Sequence, residues 1–346
     1  GNQFSVHVDN NKTAYSIGYN NQGQLGTGNT SNKTDEPHEL AKDVKSVSCG
    51  EDFTVVLFEN NTIKSTGHNN YGQLGTFNTS TVNALADLYG ELEIKQISCQ
   101  SSGTLYLTSK NTVLGCGRND LGQLGNGHTS TRNVPTPFLL DEKIKEISSG
   151  AHHAALLTSD NRVFMTGYNN NGQIGIGNTT NQTTPVQVLA SHKIVKAVCG
   201  NGHTLFLAEK FEVYACGAGG QGRLGDGSTS NRNTPVKVMG AYKVIDIYAG
   251  QHCSMFKVAN GDIYVTGYNN KGELGIDSTT QQTSPVLMDS EHVAKITLSN
   301  NNLSSMLIKA YTDTSKIQIR NVDASAQQLL VNYDAYVLNA SRLYIF

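Results

Sequence analysis

The sequence predicts an all-β fold, a seven-bladed β-propeller built from four-stranded repeats of about 50 residues. A glycine-rich loop, which first runs from Gly18 to Gly26 as GYNNQGQLG, occurs six times and begins at residues 18, 67, 117, 167, 217 and 267. A fixed period of about 50 residues indicates a repeat architecture. Between the loops, short apolar-rich runs are separated by turn residues, as expected for antiparallel strands, and no helical period of useful length occurs.

The interval around the fourth loop shows the strands of one repeat. Residues 144–150 form a first strand, and residues 153–158 and 162–167 form a hairpin whose turn contains Asp160 and Asn161. After the loop, Thr184–Val188 forms a fourth strand, and Pro185 suits an edge strand because proline donates no ladder hydrogen bond. Equivalent hairpins begin near Phe4, Phe53, Thr104, His153, His203, Cys253 and Leu303, which predicts seven blades.

Each column of the glycine loop has a physical role. Glycine recurs where the backbone needs a positive φ or close approach to another segment. Asparagine side chains hydrogen-bond the backbone of such turns and tolerate the left-handed conformation. The asparagines are Asn20, Asn69, Asn119, Asn169 and Asn269, and the apolar residues expected to plug into the core are Leu25, Leu74, Leu124, Ile174, Leu224 and Leu274. A phosphate-binding reading of Gly23-x-x-Gly26-x-Gly28 is rejected because such a loop needs a preceding strand, a following helix and usually a lysine.

The end of the chain is predicted to close the ring. Residues 342–346 resemble the strand of residues 244–249, so we expect them to pair with the N-terminal hairpin and remove an exposed sheet edge. One propeller domain then spans residues 1–346, with a divergent seventh blade over residues 303–346. There the hairpin turn of residues 310–315 is enlarged, Asn321 replaces the loop glycine, and an irregular connection covers residues 321–340. This blade is either a cap or partner site, or the drifted seam of the ring.

Composition excludes several classes of function. The 346 residues carry a formal net charge of −2 without a Lys/Arg run, so no nucleic-acid partner is predicted. No stretch of 18 apolar residues occurs, so no membrane insertion is predicted. The six cysteines, without a C-x-x-C pair, are read as small buried residues, which favours a reducing, cytoplasmic compartment and leaves surface or virion exposure open.

No cofactor, metal or catalytic residue is predicted. His152 and His153 are neighbours on a strand and point to opposite faces, so they cannot ligate one metal together. His153 and His203 are expected to hydrogen-bond the backbone at the start of a strand. No Ser/His/Asp, Cys/His or paired-carboxylate pattern is marked by its spacing.

The motifs resemble the regulator of chromosome condensation repeat. The resemblance covers essentially the whole chain, and it rests on G-x-x-H-[ST] at residues 200–204, Val213-Tyr214 and the loop of residues 117–127. It implies a seven-bladed propeller. Members of this family act as exchange factors for Ran-type GTPases, as ubiquitin-ligase and signalling modules, as pathogen effectors and, more distantly, as β-lactamase inhibitory proteins. Fold alone does not choose among these roles.

The chain departs from the family pattern in several places, and two of these departures, the missing wedge and the missing basic arm, weigh against a nuclear exchange factor. The family usually has an aromatic residue, often tryptophan, before the loop glycine, and this chain has no tryptophan. The even spacing leaves no room for the protruding wedge of the founding exchange factor, and the basic N-terminal arm is missing. The column before the glycine reads Ile17, Thr66, Cys116, Thr166, Cys216 and Thr266, and the motif histidine remains only at His153 and His203.

The sequence therefore predicts a non-enzymatic, protein-binding propeller, an interaction, adaptor or attachment module. The alternatives are a guanine-nucleotide exchange factor for a small GTPase and a proteinaceous enzyme inhibitor. The partner is another protein, with a small GTPase and a cell-surface or virion component both open. The residue after the loop glycine varies, and tyrosine and arginine are frequent interface anchors. Candidate contacts are Tyr19, His68, Arg118, Tyr168 and Tyr268, in a column completed by Ala218, together with Asp313 in the enlarged turn. The alternative for this column is packing on the neighbouring blade.

Overall fold

The computed structural model describes residues 1, 3–90, 92–288, 307–309 and 318–320, and the secondary structure there is almost entirely β. Within these described residues, only two single-turn 3-10 helices interrupt the strands, at Glu209–Phe211 and Gly220–Gly222. The predicted all-β propeller of repeated sheets is confirmed.

Six sheets follow one another along the chain, and we number them blades 1 to 6. Blade 1 consists of β1 (Phe4–Val8), β2 (Ala14–Gly18) and β3 (Lys33–Ala41). Blade 2 consists of β4 (Val44–Cys49), β5 (Phe53–Phe58), β6 (Ile63–Gly67) and β7 (Val82–Asp87). Blade 3 consists of β8 (Ile94–Gln100), β9 (Gly103–Thr108), β10 (Val113–Gly117) and β11 (Arg132–Pro137). Blade 4 consists of β12 (Ile144–Ser149), β13 (His153–Thr158), β14 (Val163–Gly167) and β15 (Gln182–Val188). Blade 5 consists of β16 (Ile194–Cys199), β17 (His203–Ala208), β18 (Val213–Gly217) and β19 (Arg232–Val238). Blade 6 consists of β20 (Val244–Ala249), β21 (Cys253–Val258), β22 (Ile263–Gly267) and β23 (Gln282–Met288).

Every sheet is an antiparallel meander in chain order, so each of blades 2 to 6 has an inner first strand and an outer last strand. Inner strands of successive blades pack side by side. Among the described strands, blade 1 has no inner strand of its own, as the sequence predicts. Two short strands, β24 (Leu307–Lys309) and β25 (Gln318–Arg320), pair within the seventh repeat. The hairpin start at Leu303, the turn of residues 310–315 with Asp313, the connection of residues 321–340 and the closing strand of residues 342–346 lie outside the described residues.

The outer strands carry the prolines. Pro185 lies in β15, which pairs with β14 alone, so its missing N–H breaks no ladder bond. The strand begins at Gln182, two residues before the predicted start, because Gln182 still pairs with Gly167 across a β-bulge. The edge-strand prediction is confirmed.

The hydrophobic core lies between the blades. One cluster joins Met165 and Ile174 of blade 4 to Ile194 and Phe206 of blade 5, all of them fully buried. A single blade cannot bury both of its faces alone, so each depends on its neighbour, as in other repeat proteins. The predicted core residues of the glycine loops are confirmed, because each is at most 1% exposed: Leu25, Leu74, Leu124, Ile174, Leu224 and Leu274.

Candidate partner-binding face

The glycine loops and the turns after the inner strands lie at the same end of each blade, because strand direction alternates along the meander. We call this end the loop face. In blade 4, the Tyr168 N–H donates to the carbonyl of His152, which lies in the turn after the inner strand, at 2.8 Å. At the opposite end, the N–H of Ile194 donates to the carbonyl of Asn161 in the hairpin turn, also at 2.8 Å.

A buried asparagine braces the glycine loop from inside in every described loop except that of blade 5, which has Gly219 there. Asn169 Nδ2 donates to the carbonyls of Asn178 at 2.9 Å and Thr180 at 3.1 Å, and its Oδ1 accepts the Ile174 N–H at 2.9 Å. The predicted bonding of the asparagine column to its own loop is therefore confirmed. Corresponding brace bonds are made by Asn20, Asn69, Asn119 and Asn269.

Glycines allow the loops to contact the backbone of the next blade. Gly172 has φ +83°, and a Cβ placed there would lie 2.3 Å from the Cα of Asn233 on blade 5. The Gly177 N–H in the same loop donates to the Asn233 carbonyl at 2.8 Å. Both predicted reasons for glycine, a positive φ and a close backbone approach, thus apply in one loop.

The small residue before the loop glycine makes a second inter-blade contact. It lies at a β-bulge between the third and fourth strands, where the register shifts. Thr166 Oγ1 lies 3.1 Å from the Gly122 carbonyl of the preceding blade, and Cys216 Sγ lies 3.4 Å from the Gln173 carbonyl. The position where the family usually has an aromatic residue therefore holds a small donor that joins two blades.

The motif histidines also join blades. Their hydrogen-bond partner is a side chain of the next blade, so the predicted backbone partner is wrong. His153 Nε2 lies 3.0 Å from the Thr204 hydroxyl of blade 5, and His203 Nε2 lies 2.9 Å from the Ser254 hydroxyl of blade 6. Since Thr204 donates its own hydroxyl proton to the Gln173 carbonyl at 2.7 Å, it must accept from His153. The expected backbone bond is replaced by a side-chain bond because the loop carbonyl already orients the hydroxyl.

Blade 3 lacks the motif histidine, and a glycine and a large side chain have exchanged positions there. The ring of His153 covers the Cα of Gly150, where a Cβ would lie 2.2 Å from the ring. In blade 3 the glycine and the large side chain exchange places, as Gln100 and Gly103. Gln100 is 1% exposed and donates to the Gln123 carbonyl at 3.3 Å. Sequence reasoning missed this swap, although the exchanged columns were its signal.

Burial of His153 predicts a measurable pH dependence of stability. Burial lowers the pKa of His153 to about 3, so the folded state stays neutral while the unfolded state gains a proton below about pH 6.5. The unfolded state then binds more protons, and stability falls on acidification. We expect this residue to lower the free energy of unfolding by about 2 kcal/mol between pH 7 and pH 5.

Denaturant titrations at both pH values on wild type and His153→Phe test this expectation. Phenylalanine occupies the same column at Phe53, where its ring likewise covers a glycine. The variant is expected to lose about 2 kcal/mol less than wild type on acidification. Equal losses in the two proteins would show that the histidine is not held neutral by the fold.

The candidate contact residues form an arc on the loop face above this buried frame. The five described candidates anchor their backbone N–H groups within their own blade at 2.8 to 2.9 Å, Tyr19 on the Gln3 carbonyl and the other four on the turn after the inner strand. Tyr19 is 36% exposed, and the others are half-buried. The tyrosine rings of Tyr168 and Tyr268 pack edge-on against His152 and His252, with centroids 6.4 and 6.2 Å apart. These two tyrosine rings therefore rest on the turn of their own blade.

Arg118 is the member that reaches a neighbour. Its guanidinium lies 5.5 Å from the centroid of the Tyr71 ring on blade 2 and makes two hydrogen bonds to Asp120, at 2.8 and 2.6 Å. His68 Nδ1 lies 3.0 Å from Gln73 Nε2. The structure thus brings five of the six candidates to one face, and the sixth, Asp313, lies outside the described residues.

Three cysteines in the described part of the chain are buried thiols. Burial raises the pKa values of the Cys99, Cys116 and Cys199 thiols to about 12, so they are thiols, not nucleophilic thiolates, near neutral pH. Within the described ranges no group of three or more His, Cys, Asp or Glu side chains could hold a metal ion. The helical turns found there are too short to cross a bilayer.

Repeated antiparallel sheets with glycine loops at one end define a β-propeller. The model of the RCC1-like domain matches residues 76–310, and two models of the regulator of chromosome condensation repeat match residues 13–57 and 44–73. The chain belongs to the RCC1-like domain family.

Solved structures share this fold at low sequence identity. Human WBSCR16 superposes with a TM-score of 0.74 at 23% identity, covering 85% of this chain and 81% of that chain. Prp20p from Saccharomyces cerevisiae, whose structure was described with its binding properties to Gsp1p and histones, gives a TM-score of 0.74 at 21% identity over 84% of this chain and 76% of that chain. Yeast RCC1 (Prp20) bound to Kap60 gives a TM-score of 0.71 at 20% identity over 84% of this chain and 74% of that chain. None of the curated protein sequences compared with the chain matches it.

Proposed function

We propose that this propeller is a non-enzymatic protein-binding module whose partner docks on the loop face. The observation that carries the proposal is the contrast within each loop between a buried, repeated frame and one varied, accessible side chain. Asn169, Gln173 and Ile174 are at most 1% exposed, whereas Tyr168 beside them is half-buried. A rigid frame that holds variable side chains is the usual construction of a recognition surface.

The chemistry of the side chains supports a protein partner. Tyrosine and arginine supply large contact areas together with polar tips, and they recur among the residues that dominate binding energy at interfaces. The buried histidines and thiols are turned toward inter-blade bonds, which supports a structural role for them. The same frame serves an adaptor, an attachment module or an inhibitor that covers an enzyme's active site.

A variant pair tests the role of the arc. We expect the double substitution Tyr168→Ala and Tyr268→Ala to weaken partner capture by tenfold or more, since interface tyrosines often contribute about 2 kcal/mol each. Stability should change little because both side chains are partly exposed. Tyr89→Ala with Tyr242→Ala is the matched control, since these tyrosines are 53% and 44% exposed and lie outside the arc. Loss of stability with unchanged capture by the arc variant would contradict the proposal.

The runner-up is guanine-nucleotide exchange on a small GTPase. The observation in its favour is the shared fold with yeast Prp20p, described as binding Gsp1p. Affinity capture on the immobilised propeller, with Mg²⁺ and again with EDTA, separates the two functions, because an exchange factor binds nucleotide-free GTPase most tightly. A small GTPase enriched only with EDTA and released by GTP would replace the module proposal. A partner retained equally in both conditions would support it.

A further inference from the structure

The glycine loop of blade 5 departs from the other loops at two buried positions: Gly219 replaces the bracing asparagine, and Arg223 replaces a side-chain acceptor. In blade 4, Gln173 Oε1 accepts the N–H of Asn171 at 3.0 Å, and the same bond from two residues earlier is made in blades 1, 2, 3 and 6. Blade 5 has Arg223 there, a donor in place of an acceptor. A full positive charge thus replaces a side-chain oxygen in the frame of the loop face.

Arg223 is buried without a counter-ion. It is 8% exposed, and its hydrogen bonds go to neutral oxygens: Nε to Gly220 O at 2.9 Å, Nη1 to Gln251 O at 3.2 Å and Nη2 to Gln221 Oε1 at 2.7 Å. Among the described residues, no carboxylate stands within ion-pair distance of its guanidinium. Burial lowers its pKa to about 10, which leaves the group charged at neutral pH. A buried cation without a partner is costly, so an anion bound there would be strongly favoured.

The guanidinium keeps donors for such an anion. It has five N–H groups, and the bonds above use one each on Nε, Nη1 and Nη2, so each terminal nitrogen retains one N–H. Two N–H groups in this fork match the two oxygens of a carboxylate. His252 follows Gln251 in the same turn, and its Nδ1 is buried with no hydrogen-bond partner among the described atoms.

The surroundings favour a single carboxylate over a phosphate-rich ligand. Burial, followed by the charge of Arg223, lowers the pKa of His252 to about 4, so the histidine adds no second cation near neutral pH. The guanidinium of Arg118, elsewhere on the loop face, is already occupied by Asp120. The Tyr268 ring packs on His252, which places this cation beside the candidate contact arc.

We infer that Arg223 is an anion-recognition point of the loop face that binds a carboxylate of an acidic segment of the partner protein. The inference rests on the proposed function, because it assigns the chemistry of the partner that docks on that face. It also explains why this loop gives up the side-chain oxygen that the other described loops keep, a glutamine in blades 1 to 4 and Glu273 in blade 6.

Fluorescence anisotropy with a labelled peptide Gly-Glu-Glu-Gly-Glu-Glu and its glutamine counterpart tests the inference. Wild type is expected to bind the acidic peptide at least about tenfold more tightly, the gain typical of a hydrogen-bonded ion pair. Arg223→Gln should abolish the difference, and Arg223→Lys should retain part of it, since lysine keeps the charge without the fork. Lys271→Gln, which removes one exposed charge from the neighbouring loop, should leave the discrimination intact. No discrimination by wild type, or equal discrimination by Arg223→Gln, would overturn the inference.

Thermal denaturation provides the second measurement. Arg223→Gln should have an equal or higher Tm than wild type, because glutamine restores the acceptor of the other loops and removes a buried charge. A Tm lowered by several degrees with unchanged peptide binding would assign Arg223 a structural role only. If Arg223→Gln captures the lysate partner as wild type does while the Tyr168/Tyr268 variant does not, the inference fails and the proposed function stands.

Discussion

Replacing Gly172 with alanine is expected to lower the free energy of unfolding by about 3 kcal/mol or more, the largest effect among our predictions. Two costs add. Alanine is strained by about 1–2 kcal/mol at a φ of +83°, and its Cβ would overlap the backbone of Asn233, 2.3 Å away on the next blade. Because the obstacle is backbone, the loop must leave blade 5 to relieve the overlap.

The same loop contains the matched control. Gly177 has φ +82°, but a Cβ there meets no atom within 4 Å, so alanine should cost only about 1 kcal/mol. Both variants retain the backbone N–H groups, and the difference between them isolates the inter-blade contact. Denaturant titration measures it, and equal losses at the two positions would show that the loop does not press on the neighbouring blade.

Replacing Asn169 with alanine is expected to cost about 3 kcal/mol. The side chain is fully buried, and its loss leaves the Ile174 N–H and the carbonyls of Asn178 and Thr180 without their partner. An unsatisfied buried group costs about 1–3 kcal/mol, and the carbonyls near the loop surface recover part of their loss from water. The loop should also become less rigid, which is expected to weaken partner capture.

Asn170→Ala is the control for this substitution. Asn170 is the next residue and is exposed, so its replacement should change stability by less than about 0.5 kcal/mol. Free energies of unfolding for both variants, together with protease sensitivity of the loop, check the prediction. A loss in the Asn169 variant no larger than in the Asn170 variant would mean that the brace does not hold the loop together.

The substitutions at Gly172 and Asn169 bear on function because the candidate contacts stand on the loops that these residues hold. Tyr168 lies between the loop glycine and the braced asparagine, and its N–H is tied to the turn at His152. Its position therefore depends on the hydrogen bonds of Asn169 within the loop and on the close contact of Gly172 with the next blade. Changes to either should reduce partner binding even where no contact residue is altered.

The repeats themselves determined the fold, the loop glycines and the plugging residues. A six-fold repeated loop at a fixed spacing restricts the chain to a repeat architecture, and local chemistry then assigns the roles of Gly172, Asn169 and Ile174 within one loop. These features follow from residue types that recur at fixed places in the repeat. They could be read from one copy and checked against the others.

Only the tertiary structure decided which blade each side chain joins. The hydroxyl that bonds His153 belongs to Thr204, 51 residues away, and the choice depends on how two sheets pack rather than on any local pattern. The same holds for Tyr168 resting on its own blade's turn and for the missing counter-ion of Arg223. The sequence shows that Arg223 stands where the other loops have glutamine or, in blade 6, glutamate, but only packed neighbouring blades show that its charge is buried against neutral oxygens.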